Sequence, residues 1–164
     1  MTTEMLKATI QGLALDIASK SPVVILAAEN SDRVLPIWIG HFEAWAIAME
    51  LSQIKSKRPL SHDLMALLVS ELSGKVTKVE VTELREQTFY ARIYIETESG
   101  IKEVDARPSD SIALALKTDA PIYVNAELFN IKKEEGLPEK INDPQTLRER
   151  LRNINPEDFG KYSL

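Results

Sequence analysis

The sequence predicts an α+β fold: a duplicated β-β-β-α unit forming a largely antiparallel sheet with helices packed on it, followed by a polar C-terminal tail. Three observations predict it. Short β-rich runs separated by turn residues fill residues 5–39 and 75–106. Helical spacing follows each of those blocks. A forward step of 67 positions takes Ser21 to Thr88, Val34 to Ile101 and Glu43 to Asp110. The same step carries Phe42, Trp45, Ala46 and Met49 onto Ser109, Ile112, Ala113 and Leu116. Identities are few, so the repeat is one of pattern. Short links between the strands imply antiparallel pairing.

Residues 5–17 alternate, with Leu13, Leu15 and Ile17 in one phase, and read as the first strand. Ser19-Lys20-Ser21-Pro22 is a turn, and 23–28 a buried strand. Glu29 to Arg33 has hairpin-turn chemistry, and 34–39 returns. Pro36 has no amide proton for a ladder, which places that strand at an edge or a bulge. From Phe42 the period becomes helical, with Phe42, Trp45, Ala46 and Met49 as the inner face and an end near Ile54. Ser61 is the expected cap of a second helix, His62 to Leu72, whose buried stripe would be Leu64, Leu67, Leu68 and Leu72, ended by Gly74. Strands over 75–84, 88–97 and 101–106 follow, then a helix capped by Ser109 and running to about Lys117, and a further strand over 120–124.

Two regions are expected: a domain over 1–131 and, over 132–164, a charged connector with a polar helix from Pro144 to Ile154. The turn Asn155 to Gly160 closes that tail, which is expected to pack lightly or to contact a partner.

Of the 164 residues 44% are hydrophobic and 27% charged, enough apolar material for a core and too much for global disorder. The net charge of −5 argues against a broad non-specific grip on nucleic acid, while leaving room for a local basic groove. With no cysteine there are no disulfides, thiolate metal sites or thiol nucleophiles. That absence is compatible with a reducing cytoplasm, the expected location. No secretory signal or membrane-length apolar run is read from the sequence.

The acids that could carry chemistry are Glu43, Asp63, Asp105 and Asp110, with Arg58, Arg107 and His62 as electrostatic or proton-transfer partners. Glu43, His62, Asp63, Arg107 and Asp110 are the catalytic candidates. Glu43, Asp105 and Asp110 are the candidate ligands of a divalent cation, Mg²⁺ or Mn²⁺. Lys57 and Arg58, in the basic run Lys55-Ser56-Lys57-Arg58, are the candidate substrate contacts. Each has an ordinary alternative. Acids in a first helical turn stabilise its dipole, Arg107 can pair structurally with Asp105 or Asp110, and His62 can pack beside a cap. Trp38 and Trp45 read as core or interface residues before base-stacking platforms. No glycine-rich phosphate loop, serine elbow or zinc-hydrolase spacing is present.

Three segments together carry a resemblance: Leu35-Pro36-Ile37-Trp38-Ile39-Gly40 with Glu43-Ala44; Arg58-Pro59-Leu60-Ser61-His62-Asp63-Leu64; and Thr88-Phe89-Tyr90-Ala91 leading to Asp105-Ala106-Arg107-Pro108-Ser109-Asp110-Ser111-Ile112-Ala113-Leu114-Ala115. With Pro121-Ile122-Tyr123-Val124 they span about the first four-fifths of the chain, and it resembles the bifunctional nuclease domain family. The resemblance implies RNase and DNase activity with little substrate preference, and brings no settled catalytic set with it. Nucleic acid would be the substrate, with no membrane partner. A homodimer is the expected assembly, since exposed sheet edges commonly find a symmetric partner. Two alternatives stand beside the nuclease: a non-enzymatic dimeric interaction or regulatory domain, and a small-molecule binder with its pocket between the halves.

Overall fold

The computed structural model describes residues 2–130, 149, 151–154 and 158. Strands β1 (Met5–Asp16), β2 (Ser21–Ala28) and β3 (Val34–Trp38) form an antiparallel meander that leads into helix α1 (His41–Leu51). Helix α2 (Ser61–Glu71) precedes a second meander, β4 (Lys75–Arg85), β5 (Thr88–Thr97) and β6 (Gly100–Ala106), which leads into α3 (Pro108–Thr118). The order β-β-β-α thus occurs twice. Strand β7 (Ile122–Asn125) joins the halves, antiparallel to β1 and parallel to β4. The sheet runs β3-β2-β1-β7-β4-β5-β6, with β8 (Leu151–Asn153) beside β1. β3 is the edge expected from Pro36.

One core joins sheet and helices: Val24 and Leu26 of β2, Val79 and Val81 of β4 and Ile93 of β5 meet Ile47 of α1 and Ile112 of α3. The central helix is α3, packed on β4 and β5 and flanked by α1 and α2. It starts one residue earlier than expected. Arg107 is its N-cap and Pro108 its first residue, because proline presets the helical φ while holding its predecessor extended. Ser109 is buried in the first turn instead of capping it. Likewise Leu60, not Ser61, is the N-cap of α2.

Three further expectations are corrected. α1 ends at Leu51 and buries Ala44, Ile47, Ala48 and Met49, while Phe42 is 73% exposed. Two alanines on its inner face let the helix approach closely, and the larger Phe42 falls outside. At the end of α2 the left-handed residue is Ser73 (φ 60°), whereas a Cβ on Gly74 would stand only 3.0 Å from Ile95. The largest departure is α2 itself: it buries no residue, and Leu64, Leu67, Leu68 and Leu72 face outward. Its inward side carries His62, Asp63, Ala66 and Val69, all half-buried. The periodicity was that of a helix, but polar partners on α3 hold the opposite face inward.

Within the expected tail helix, Leu151–Asn153 form a strand paired with Ala14–Asp16, and Ile154 joins the core. The charged connector over 132–140 and the rest of that helix lie outside the described residues, as does most of the turn over 155–160.

Candidate functional site

The three helices begin alike. Glu43, Asp63 and Asp110 each occupy the third residue of their helix, where a carboxylate meets the unpaired amides and the positive dipole end. No N-cap residue supplies a side-chain cap. Asp63 takes over that task and accepts the Leu60 amide at 3.0 Å. Glu43 and Asp110 turn instead to a shared partner, Arg107.

The Arg107 Nε and Nη2 donate to the two oxygens of Asp110 at 2.9 and 3.2 Å, a bidentate fork. Its Nη1 donates to Glu43 Oε1 at 2.9 Å. Asp110 Oδ1 also faces His62 Nε2 at 3.0 Å. One carboxylate thereby joins α3 to α1, through Arg107, and to α2. Burial alone would raise the Asp110 carboxyl, but the bonds from Arg107 and His62 outweigh it and hold the group below its ordinary 3.8. The same contacts, with Asp110 first and Glu43 second, raise Arg107 above its usual range. An ionised Asp110 is only an acceptor, so His62 Nε2 is the donor in this contact.

A guanidinium has five N–H groups, and three are engaged here. One on each Nη has no acceptor among the described residues, and the side chain is 63% exposed. Gly40 makes the Glu43 arm of this junction possible. Its backbone (φ −76°, ψ 162°) suits any residue, but a Cβ there would lie 2.1 Å from Glu43 Oε2. The carboxylate occupies the space that a side chain would take.

A second junction lies two turns along α3. Lys117 binds Asp63 Oδ1, and Glu50 Oε2 at 2.5 Å. Burial would lower this ammonium, but the two carboxylates raise it above 10.5. Asp63 is likewise pushed up by burial and pulled further down, below 3.8, by Lys117 and the Leu60 amide. Pairs Glu43–Arg107 and Glu50–Lys117 tie the two ends of α1 and α3 together side by side. Between the C-terminal half of α1, the connection over 52–60 and the start of α2 opens a cleft of about 710 Å³, whose lining includes Gln53, Lys55, Lys57, His62, Asp63 and Lys117.

The structure therefore brings Glu43, His62, Arg107 and Asp110 together and assigns Asp63 to Lys117. His62 belongs both to the junction and to the cleft. Lys57 lines the cleft, whereas Arg58 is exposed and outside its lining. Asp105 is apart: it pairs in register with Arg92 and alternates with Val104 and Ala106, which oppose core residues Ile93 and Ala91. It consequently faces the side of the sheet away from the helices. Among the described residues no three acids or histidines form a metal-holding group. Glu43 and Asp110 are bridged by Arg107, so the space a divalent cation would need between them holds a guanidinium. Trp38 donates its indole N–H to buried Asp16 at 2.9 Å, a structural role.

Sequence reasoning missed Lys117, Glu50 and Gly40. A signal for the first two was present: Glu50 and Lys117 are also 67 apart, each seven residues beyond Glu43 and Asp110, with opposite charges.

A family model described as the bifunctional nuclease domain matches residues 24–135. An uncharacterized protein of Mycobacterium tuberculosis is 35% identical over 159 residues, covering 92% of this chain and 95% of the relative. Bifunctional nuclease 1 of Oryza sativa subsp. indica is 27% identical over 116 residues, 69% of this chain and 35% of its own length. Bifunctional nuclease 2 of Arabidopsis thaliana is 25% identical over 114 residues, 68% and 35% respectively.

Proposed function

The chain belongs to the bifunctional nuclease domain family, and on that premise we propose that it is a nuclease hydrolysing phosphodiester bonds in RNA and DNA with little substrate preference. The observation that carries the site is the double use of Asp110 Oδ1, which puts a histidine and an exposed guanidinium within two hydrogen bonds of each other.

In this reading a phosphate oxygen accepts the two remaining Arg107 N–H groups, and the strand runs along the cleft past Lys57 and Lys55. A water attacks phosphorus while His62 Nδ1 takes its proton. The new P–O bond forms as the bond to the leaving sugar oxygen breaks, that oxygen takes a proton from solvent water, and His62 returns its own to solvent. Charge growing on the phosphoryl oxygens is met by Arg107 and by the helix ends behind it. Asp110 holds the imidazole tautomer and the guanidinium plane, and Glu43 fixes the guanidinium from the other side. Asp63 orients the start of α2 through Lys117. The lack of sequence preference follows from contacts made to phosphate alone.

The arrangement of Glu43, Asp110 and Asp105 does not fit the Mg²⁺ or Mn²⁺ site expected from the sequence: Arg107 lies between the first two, and Asp105 faces the far side of the sheet. No described helix is long and apolar enough to cross a membrane; a cytoplasmic location is part of this proposal. The second reading, a non-enzymatic interaction domain, is favoured by the outward leucines of α2.

The test is hydrolysis of labelled single-stranded RNA and DNA by stringently purified protein. His62→Ala and Asp110→Asn should each lower kcat/KM by about 10²–10⁴-fold. A folded His62→Ala, Arg107→Ala double variant with full activity would remove this site from the reaction. Activity that disappears on purification of the unmodified chain would leave the interaction reading.

A further inference from the structure

We propose that Phe42 is a base-stacking platform at the mouth of the cleft, taking the face of an unpaired nucleobase while Arg107 holds the adjoining phosphate. The inference deepens the nuclease reading above, from which it takes Arg107 as the phosphate contact, and it makes single-stranded RNA or DNA the preferred substrate. Phe42 is the only exposed aromatic side chain among the described residues, at 73%. A lone exposed phenyl is common on protein surfaces, and it is the position that singles this one out. Phe42 directly precedes Glu43, whose carboxylate accepts the Arg107 Nη1 at 2.9 Å. It also begins the stripe Phe42, Ala46 and Met49, at i, i+4 and i+7 of α1, and the last two line the cleft. The stripe thus carries the cleft wall on by one helical turn, about 6 Å, toward the start of α1. His62, which belongs to both the cleft and the junction, stands at the start of α2 on the facing wall.

The surroundings of the ring select its occupant. Its chain neighbours are His41 and Glu43, so no apolar run continues from it for a lipid or a protein partner. A nucleobase asks only for one open aromatic face with a cation near its phosphate. The net charge of −5 gives the chain no broad electrostatic hold on a strand, and stacking supplies affinity that phosphate contacts do not. Every base has such a face, so stacking adds grip without reading sequence. What it reads is strandedness: a paired base keeps its faces against its neighbours in the duplex and has to be unstacked before Phe42 can take it.

Fluorescence anisotropy of a labelled oligothymidylate, with the full chain carrying His62→Ala so that the strand stays uncut, tests the platform apart from hydrolysis. Adding Phe42→Ala should weaken the dissociation constant by about 10- to 100-fold. Phe42→Trp should retain the affinity, and thermal melts should not move, since the ring is exposed. An abasic strand of equal length should bind alike with and without Phe42, and the oligothymidylate annealed to its complement should bind more weakly than the single strand. In the cleavage assay Phe42→Ala alone should lower kcat/KM on the single strand by the same factor, chiefly through KM, and leave the abasic strand unaffected. Indifference of the single strand to Phe42→Ala overturns the proposal, as does an equal loss on the abasic strand or tighter binding of the duplex. Binding that depends on Phe42 without hydrolysis by the unmodified chain would keep the platform and remove the nuclease reading. A chain that neither binds nor cuts the single strand overturns both.

Discussion

Gly40→Ala separates the role of the Arg107 junction in function from its role in stability. The added methyl would sit 2.1 Å from Glu43 Oε2 and 3.1 Å from its Cδ. To reach ordinary contact at 3.4 Å, that oxygen has to retreat by about 1.3 Å. The 2.9 Å bond to Arg107 Nη1 is made by the other oxygen, Oε1, and moving the planar carboxylate that holds both oxygens disturbs its geometry. The stability terms nearly cancel. Restricting the unfolded chain gains about 0.4–1 kcal/mol. Alanine in place of glycine at an N-cap costs about 0.5–1 kcal/mol, and losing the solvent-exposed pair about 0.2–1 kcal/mol. For a chain of this size the unfolding midpoint then moves by no more than about 6 °C. Catalysis has no such compensation. A charge-assisted hydrogen bond that fixes the guanidinium contributes about 1.5–3 kcal/mol, or roughly 10- to 100-fold in kcat/KM on a labelled oligonucleotide. Because both changes act through one contact, adding Gly40→Ala to Glu43→Gln should cost nothing more. Full activity in Gly40→Ala, or losses that multiply in the double variant, would refute the reasoning.

Three other outcomes are expected. Lys117→Met strands Glu50 and Asp63, whose side chains are 24% and 26% exposed, and should cost about 2 kcal/mol; thermal melts should fall by about 4–8 °C, with recovery when Asp63→Asn is added. The carboxyls of Asp63 and Asp110 lie below 3.8, so their contribution is complete above that pH and is lost as pH falls through their folded values. Denaturant titrations at descending pH should show that loss, and a smaller slope in the Asp63→Asn, Asp110→Asn double variant. With Arg107 between Glu43 and Asp110, exhaustive EDTA treatment should leave the hydrolysis rate unchanged; a loss reversed by Mn²⁺ would show that the guanidinium gives way to a metal.

The sequence alone determined strands β1 to β7, the turns between them and, to within a residue or so, the places where the helices begin. Alternation, hairpin residues and Pro108 act locally, over a few residues, so they can be read without the fold. The acids at Glu43, Asp63 and Asp110 were legible for the same reason, since a first-turn carboxylate serves its own helix. Tertiary structure decided what those acids do. Arg107 reaches Glu43 across 64 residues and His62 reaches Asp110 across 48, and neither distance leaves a local pattern. It also decided which way α2 faces. A leucine every fourth residue specifies a helix with one apolar side, but not whether that side meets its own core or another molecule. On α2 the contacts of His62 and Asp63 to α3 hold the polar side inward, and the leucines stay exposed.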